Sequence, residues 1–171
     1  MWAFQGRKRP DFAAEPAVGQ ESVWDYPRPP RVVGDTRHVE VWHGTQCIAD
    51  TRRAWRVLET ASPPTFYLPA EDVAMACLRP VPGSSFCEWK GSASYFSLAS
   101  GSPQDPAVAW SYPRPSAAFA RLSACLSFYP GRVRCLVDGE VVRPQPGGFY
   151  GGWITDDIVG PFKGEPGTGY W

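Results

Sequence analysis

The sequence predicts a mainly β fold, with antiparallel sheets and one or two short helices. Three observations carry this. First, the 171 residues include 17 Gly and 19 Pro, and so many breakers leave little room for long helices. Second, apolar and polar residues alternate over short runs at 37–43 and 133–137, which is the period of a half-buried strand. Third, turn residues such as Asp138-Gly139 and Pro63-Pro64 bracket such runs. A chain of this length buries roughly 70% of its unfolded surface, enough for one core without disulfides.

Taken in order, residues 1–22 carry mixed charge, Pro and Gly without an apolar period, and read as an arm, mobile or laid over the surface. Residues 23–30 follow as an extended strap, held by prolines and docked by Trp24 and Tyr26. Residues 37–43 and 47–49 form a hairpin around Gly44. Residues 52–59 scan as a short helix capped by Asp50 or Thr51, and equally as a strand. Residues 65–68 are a strand, 71–78 another short element, and 85–98 a strand broken near Gly91. A strand at 107–112 stops at Pro113. Ser116 then caps the best helical pattern, 116–128, with Phe119, Leu122 and Leu126 on one stripe. The alternating strand at 133–137 turns at Asp138-Gly139 into 140–142. Three segments result: an arm (1–22), a β-rich core domain (23–143), and a Pro/Gly/aromatic extension (144–171) stabilised by docking its own rings on the core.

Composition excludes several functions. Seventeen basic and 17 acidic residues cancel, which argues against a nucleic-acid partner. No apolar run is long enough for a bilayer, and residues 1–9 lack the order of a secretory signal, so no membrane partner and a cytoplasmic location are expected. Five Cys (47, 77, 87, 125, 135) form no Cys-x-x-Cys pair and read as small apolar residues of a reduced core. His43 and Cys47 offer only two metal ligands, so neither metal nor cofactor is expected. Net charge favours no oligomeric state.

Several motifs occur together and in order: Trp24-Asp25-Tyr26-Pro27-Arg28-Pro29-Pro30, Arg56-Val57-Leu58-Glu59-Thr60, Cys87-Glu88-Trp89-Lys90-Gly91 and Ala109-Trp110-Ser111-Tyr112-Pro113. With Gly151-Gly152-Trp153-Ile154-Thr155 and Ile158-Val159-Gly160-Pro161-Phe162-Lys163-Gly164 they resemble the longer members of the bacterial Domain of Unknown Function 427 family. The resemblance covers about residues 24–171. It implies a fold similar to the β-tent group, which includes methionine sulfoxide reductase B and the thalidomide-binding domain of cereblon. Members of that group hold zinc with two Cys-x-x-Cys pairs, and this sequence has neither. The family is also labelled nucleotidyltransferase-like. The chain has no Asp-x-Asp pair to hold Mg²⁺ and no Gly-rich phosphate loop ending in Lys-Ser or Lys-Thr.

Candidate chemistry centres on the rings. Lys occurs only at positions 8, 90 and 163 against fourteen Arg, so Lys90 beside Trp89 stands out. Strand parity puts Trp89, Ala93 and Tyr95 on one face and Lys90 on the other, unless a bulge at Gly91 re-aims one set. Trp110 and Tyr112 share a strand face and, with Trp89, Tyr95 and Tyr67, are expected to wall a pocket; the plain alternative is an aromatic core. Arg56 and Glu59 are expected as polar anchors, or as a helical i, i+3 pair with no further role. Cys87 as a nucleophile needs a base, and only His38 and His43 exist. Arg28 and Asp25 flank the strap as a clamp over the pocket or as its fastening.

The leading expectation is a small-molecule binding domain with walls from Trp89, Trp110, Tyr112, Tyr67 and Tyr95 and anchors from Lys90, Arg56 and Glu59. The alternatives are an enzyme, nucleotide-using or thiol-dependent through Cys87, and a protein-interaction module using the extension.

Overall fold

The computed structural model describes residues 2–171. Its strands in chain order are β1 (Glu21–Ser22), β2 (Arg31–Asp35), β3 (Val39–His43), β4 (Gln46–Thr51), β5 (Ala54–Leu58), β6 (Thr65–Pro69), β7 (Leu78–Cys87), β8 (Gly91–Leu98), β9 (Ala109–Ser111), β10 (Cys125–Phe128), β11 (Arg134–Val137), β12 (Glu140–Val141), β13 (Arg143–Pro144), β14 (Trp153–Ile154) and β15 (Ile158–Val159). A seven-stranded antiparallel sheet runs β2-β5-β6-β10-β9-β8-β7, and a four-stranded one runs β12-β11-β3-β4. Two small pairs, β1–β15 and β13–β14, tie the chain ends to this body. The protein is mainly β, as the alternation and the breakers predict. No helix among the described residues is long and apolar enough to cross a membrane.

Side-chain alternation places the core. Phe66, Leu68, Leu126 and Phe128 leave one face of the large sheet and meet Val39, Val41, Cys135 and Val137 of the small sheet. Because strand residues alternate, the opposite face of the large sheet receives Val57, Tyr67, Ala93, Trp110 and Cys125. That second face is aromatic and supports the site described below.

One helical expectation is corrected, and at 52–59 the strand reading holds over the helical one. Residues 52–59 hold no helix: β5 pairs with β2 from Arg31↔Leu58 to Asp35↔Ala54 and with β6 from Trp55↔Tyr67 to Val57↔Thr65. Sheet pairing on both sides outweighs the weak local helix preference. The helix expected at 116–128 shrinks to a 3₁₀ turn, Ala117–Leu122, kinked at Phe119. Cys125–Phe128 is instead β10, buried along its whole length at the centre of the large sheet. Phe119 and Leu122 go to one face of the sheet and Leu126 to the other, so the apparent helical stripe serves two different cores. The element expected at 71–78 is a pair of single 3₁₀ turns, Ala70–Asp72 and Met75–Cys77.

The extension is packed onto the body. Trp153 is fully buried in the first core, stacks on Phe66 at 4.8 Å, and donates its indole N–H to the Phe128 carbonyl at 2.9 Å. The arm lies along the same end: Phe4 and Phe12 pack edge-on against Trp24, and Trp171 closes the group. All five cysteines are free thiols.

Candidate functional site

A cavity of about 510 Å³ opens between the aromatic face of the large sheet, the β7–β8 turn and the extension. The floor comes from neighbouring strands. Tyr67 on β6 and Trp110 on β9 flank β10, which carries only Ser127 opposite Trp110. This small residue lets the two rings meet edge-to-face at 6.2 Å, with the Trp110 indole N–H donating to the Tyr67 hydroxyl at 3.3 Å. Tyr95 on β8 sits in register with Trp110 and shares a 2.6 Å hydrogen bond with the Ser85 hydroxyl on β7. Tyr112 lies 6.3 Å from Tyr67, and Tyr129 lies 4.5 Å from Trp110. Burial pushes the Tyr67 and Tyr112 phenols far above their ordinary range and the Tyr129 phenol up to about 12, so this wall is uncharged at neutral pH.

The β7–β8 turn supplies the next wall. Gly91 takes φ +99°, a conformation that costs glycine little. Glu88, Trp89 and Lys90 therefore form a turn, and strict strand alternation does not apply to them: Trp89 and Lys90 both line the cavity. Ser116 anchors the turn, donating its hydroxyl to the Trp89 carbonyl at 2.6 Å and its N–H to the Lys90 carbonyl at 3.2 Å. The Lys90 ammonium stands 5.6 Å from the Tyr112 ring centre and 5.9 Å from that of Phe119. The Trp89 indole nitrogen is buried and without a hydrogen-bond partner among the described residues.

The extension closes the other side. Gly151 lies against Trp110 so tightly that a Cβ there would sit 2.2 Å from the indole Cη2. Gln145 braces this loop, accepting from the Gly152 N–H at 3.0 Å and donating to the Lys163 carbonyl at 2.6 Å. Phe149, Tyr150 and, from β7, Phe86 stand exposed around the mouth.

One end of the cavity is polar. Glu59 Oε1 lies 3.3 Å from Nε of Arg28, whose side chain is 2% exposed, though the two are not aligned for a hydrogen bond. Arg28 itself is fastened to the Phe4 and Thr60 carbonyls at 2.8 Å each. The Lys163 ammonium sits 3.9 Å from the Trp2 ring centre and 5.6 Å from that of Tyr150, and donates to the Trp171 main-chain oxygen at 3.2 Å. Burial and the neighbouring Arg28 charge pull its pKa below the usual lysine range, against the opposing pull of Glu59 and Glu88.

Of the residues singled out in the sequence, Trp89, Lys90, Trp110, Tyr112, Tyr67, Tyr95 and Glu59 line this one cavity, as does Cys87. Arg56 does not. Its β-strand parity turns it toward β2 and the arm, where it pairs with Asp35 at 3.1 Å and Glu21 at 3.1 Å. The i, i+3 relation to Glu59 vanished with the helix. Asp25 pairs with Arg9 on the surface, and Arg28 fastens the strap. Sequence reasoning missed Lys163, Tyr150, Gly151, Gln145 and Trp2; the scarcity of Lys was the one available signal, and it pointed to Lys163 as much as to Lys90.

No histidine lines the cavity among the described residues. His43 ends β3 in the four-stranded sheet, whereas Cys87 ends β7 in the seven-stranded one. The acidic lining is Glu59 and Glu88. His38, Glu40 and Asp50 cluster elsewhere, on the small sheet. His38 Nε2 lies 2.8 Å from Asp50 and Nδ1 3.8 Å from Glu40, so each ring nitrogen faces a different carboxylate instead of a shared centre. The three side chains lie at the surface, away from the cavity.

No curated protein matches the chain. A family model described as Domain of unknown function (DUF427) matches residues 31–139, which is more than half of the chain, and the protein belongs to that family.

Proposed function

We propose that the protein binds a small molecule with a flat aromatic part and at least one polar or charged group. The observation that carries this reading is the cavity itself: aromatic walls drawn from distant strands enclose about 510 Å³ without filling it, within the usual size range of small-molecule sites. Trp89, Trp110, Tyr112, Tyr67 and Tyr95 form the apolar end, Lys90 stands beside Tyr112, and Glu59 marks the polar end. The extension supplies the facing wall and lies beyond the matched family range.

Thermal-shift screening of nucleotides, amino-acid derivatives and aromatic acids tests this. A ligand at about one hundred times its Kd stabilises by about 2.7 kcal/mol. For a domain of this size that raises Tm by roughly 5–10 °C. The shift should fall in Lys90→Met and Glu59→Gln proteins and persist in Arg56→Met, whose side chain is outside the cavity. A screen in which no aromatic compound shifts Tm, or in which Arg56→Met abolishes the shift and Lys90→Met does not, contradicts the reading.

A further inference from the structure

The polar end of the cavity holds a chemical group that mere binding does not require. Lys163 is 3% exposed, yet its side chain lines a space large enough for a small molecule. Among the described residues no Asp or Glu side chain forms an ion pair with it; its hydrogen bond goes to the Trp171 main-chain oxygen at 3.2 Å. Two aromatic rings, Trp2 at 3.9 Å and Tyr150 at 5.6 Å, complete its surroundings. Glu59 and Glu88 line the same cavity. A buried amine, two carboxylates and an aromatic chamber are the components of a carbonyl-capturing site.

We propose that Lys163 is a nucleophilic amine that captures an aromatic aldehyde or ketone in this cavity as an imine. The proposal rests on the cavity being a ligand site and deepens that reading by naming the ligand class. The neutral Nζ lone pair adds to the carbonyl carbon and a C–N bond forms. The carbonyl oxygen takes a proton while the nitrogen gives one up, leaving a carbinolamine. Loss of the hydroxyl, with a proton, as water then forms C=N. One amine and one carbonyl become one imine and one water, with no oxidation or reduction. Glu59 and Glu88 are the groups at hand to move the two protons.

The electrostatic setting agrees with the geometry. Desolvation and the Arg28 charge favour the neutral amine, while Glu59 and Glu88 oppose them, and the net direction is downward. Each unit of lowering raises the neutral fraction at pH 7 about tenfold. The Tyr150 phenol beside Nζ is itself pushed up by burial and by the same two carboxylates, and stays protonated. The Trp2 ring lies 3.9 Å from Nζ and covers one side of the amine.

The test uses the whole chain, benzaldehyde and indole-3-carbaldehyde as probes, and cyanoborohydride to reduce any imine to a stable amine. The chain has only three lysines, at 8, 90 and 163, so peptide mapping assigns the label without ambiguity. Lys163 should be labelled in clear preference to Lys8 and Lys90. Lys163→Arg, which keeps the cation against Trp2, should lose this label at unchanged Tm. Labelling that is absent, or equal at the three lysines, overturns the proposal, and the wild-type map decides this even if the variant fails to fold. Benzamide, shaped like the probe but unable to form an imine, separates the two failures. If it still perturbs the Trp110 indole N–H while Lys163 stays unlabelled, the imine is wrong and the cavity reading stands. If it perturbs nothing, the cavity reading falls as well.

Discussion

Gly151 shows how one missing side chain shapes the site. The loop rests on the Trp110 ring, and a Cβ at residue 151 would meet three of its carbon atoms within 3.2 Å. Gly151→Ala must move either the ring or the loop, and overpacking of this kind costs about 1–3 kcal/mol. Urea denaturation should show that loss, and ligand-induced thermal shifts should shrink with it. Arg56 makes the opposite point. It is 13% exposed in its side chain and joins Asp35 to Glu21, so Arg56→Met should destabilise by about 1–3 kcal/mol while leaving ligand affinity unchanged. Asp35 keeps its bond to Arg37 at 2.7 Å in that variant, which holds the cost below that of a fully orphaned buried charge. Trp110 and Tyr112 were legible in the sequence as one wall because alternating residues of an extended segment share a face, whereas Trp89 enters from a turn to which that rule does not apply. Arg56 was not, since its partners lie 21 and 35 residues away and only the sheet pairing brings them together.

Among the elements, the extension bears most directly on the cavity. Its Trp153 fills the first core, and its Gln145, Gly151 and Lys163 wall the cavity. Trp153→Ala removes a fully buried ring and its hydrogen bond to Phe128, and should cost about 3–5 kcal/mol by chemical denaturation. A chain ending after Val142 should lose both stability and all ligand-induced shift; unchanged melting of that truncation would mean the extension is dispensable. The β strand at 39–43 was readable from alternation because it buries one face only. β10 was not, because it is buried on both faces and so loses the polar half of the pattern. The 3₁₀ turn just before it extended a false helical stripe into the strand.

At the scale of the molecule, an ion network binds arm, sheet and extension. Glu21 on β1, Asp35 on β2, Arg56 on β5, Arg37, and Asp157 next to β15 form a connected chain of pairs. Burial alone would raise the Glu21 and Asp35 carboxyls, but hydrogen bonds from Arg56 and Tyr26 to Glu21, and from Arg37 to Asp35, hold both below their ordinary values of 4.5 and 3.8. A carboxyl depressed in the folded state stabilises fully above its unfolded pKa and loses that contribution as pH falls through its folded pKa. Stability measured by urea should therefore be flat from about pH 7 to 5 and then decline below about pH 4.5, with a shallower decline in Arg56→Met. An equal acid slope in both proteins would show that the network does not act this way.

The aromatic rings surround a space that a small molecule can enter. The most direct measurement is the indole region of a ¹⁵N–¹H correlation spectrum, titrated with a mixture of small aromatic fragments. The chain has eight Trp and so eight indole N–H signals. Those of Trp89, Trp110 and Trp2 should move with saturation while those of Trp24 and Trp153, buried in other clusters, stay in place. Indole signals that all remain fixed, or a uniform drift of all eight, would contradict it.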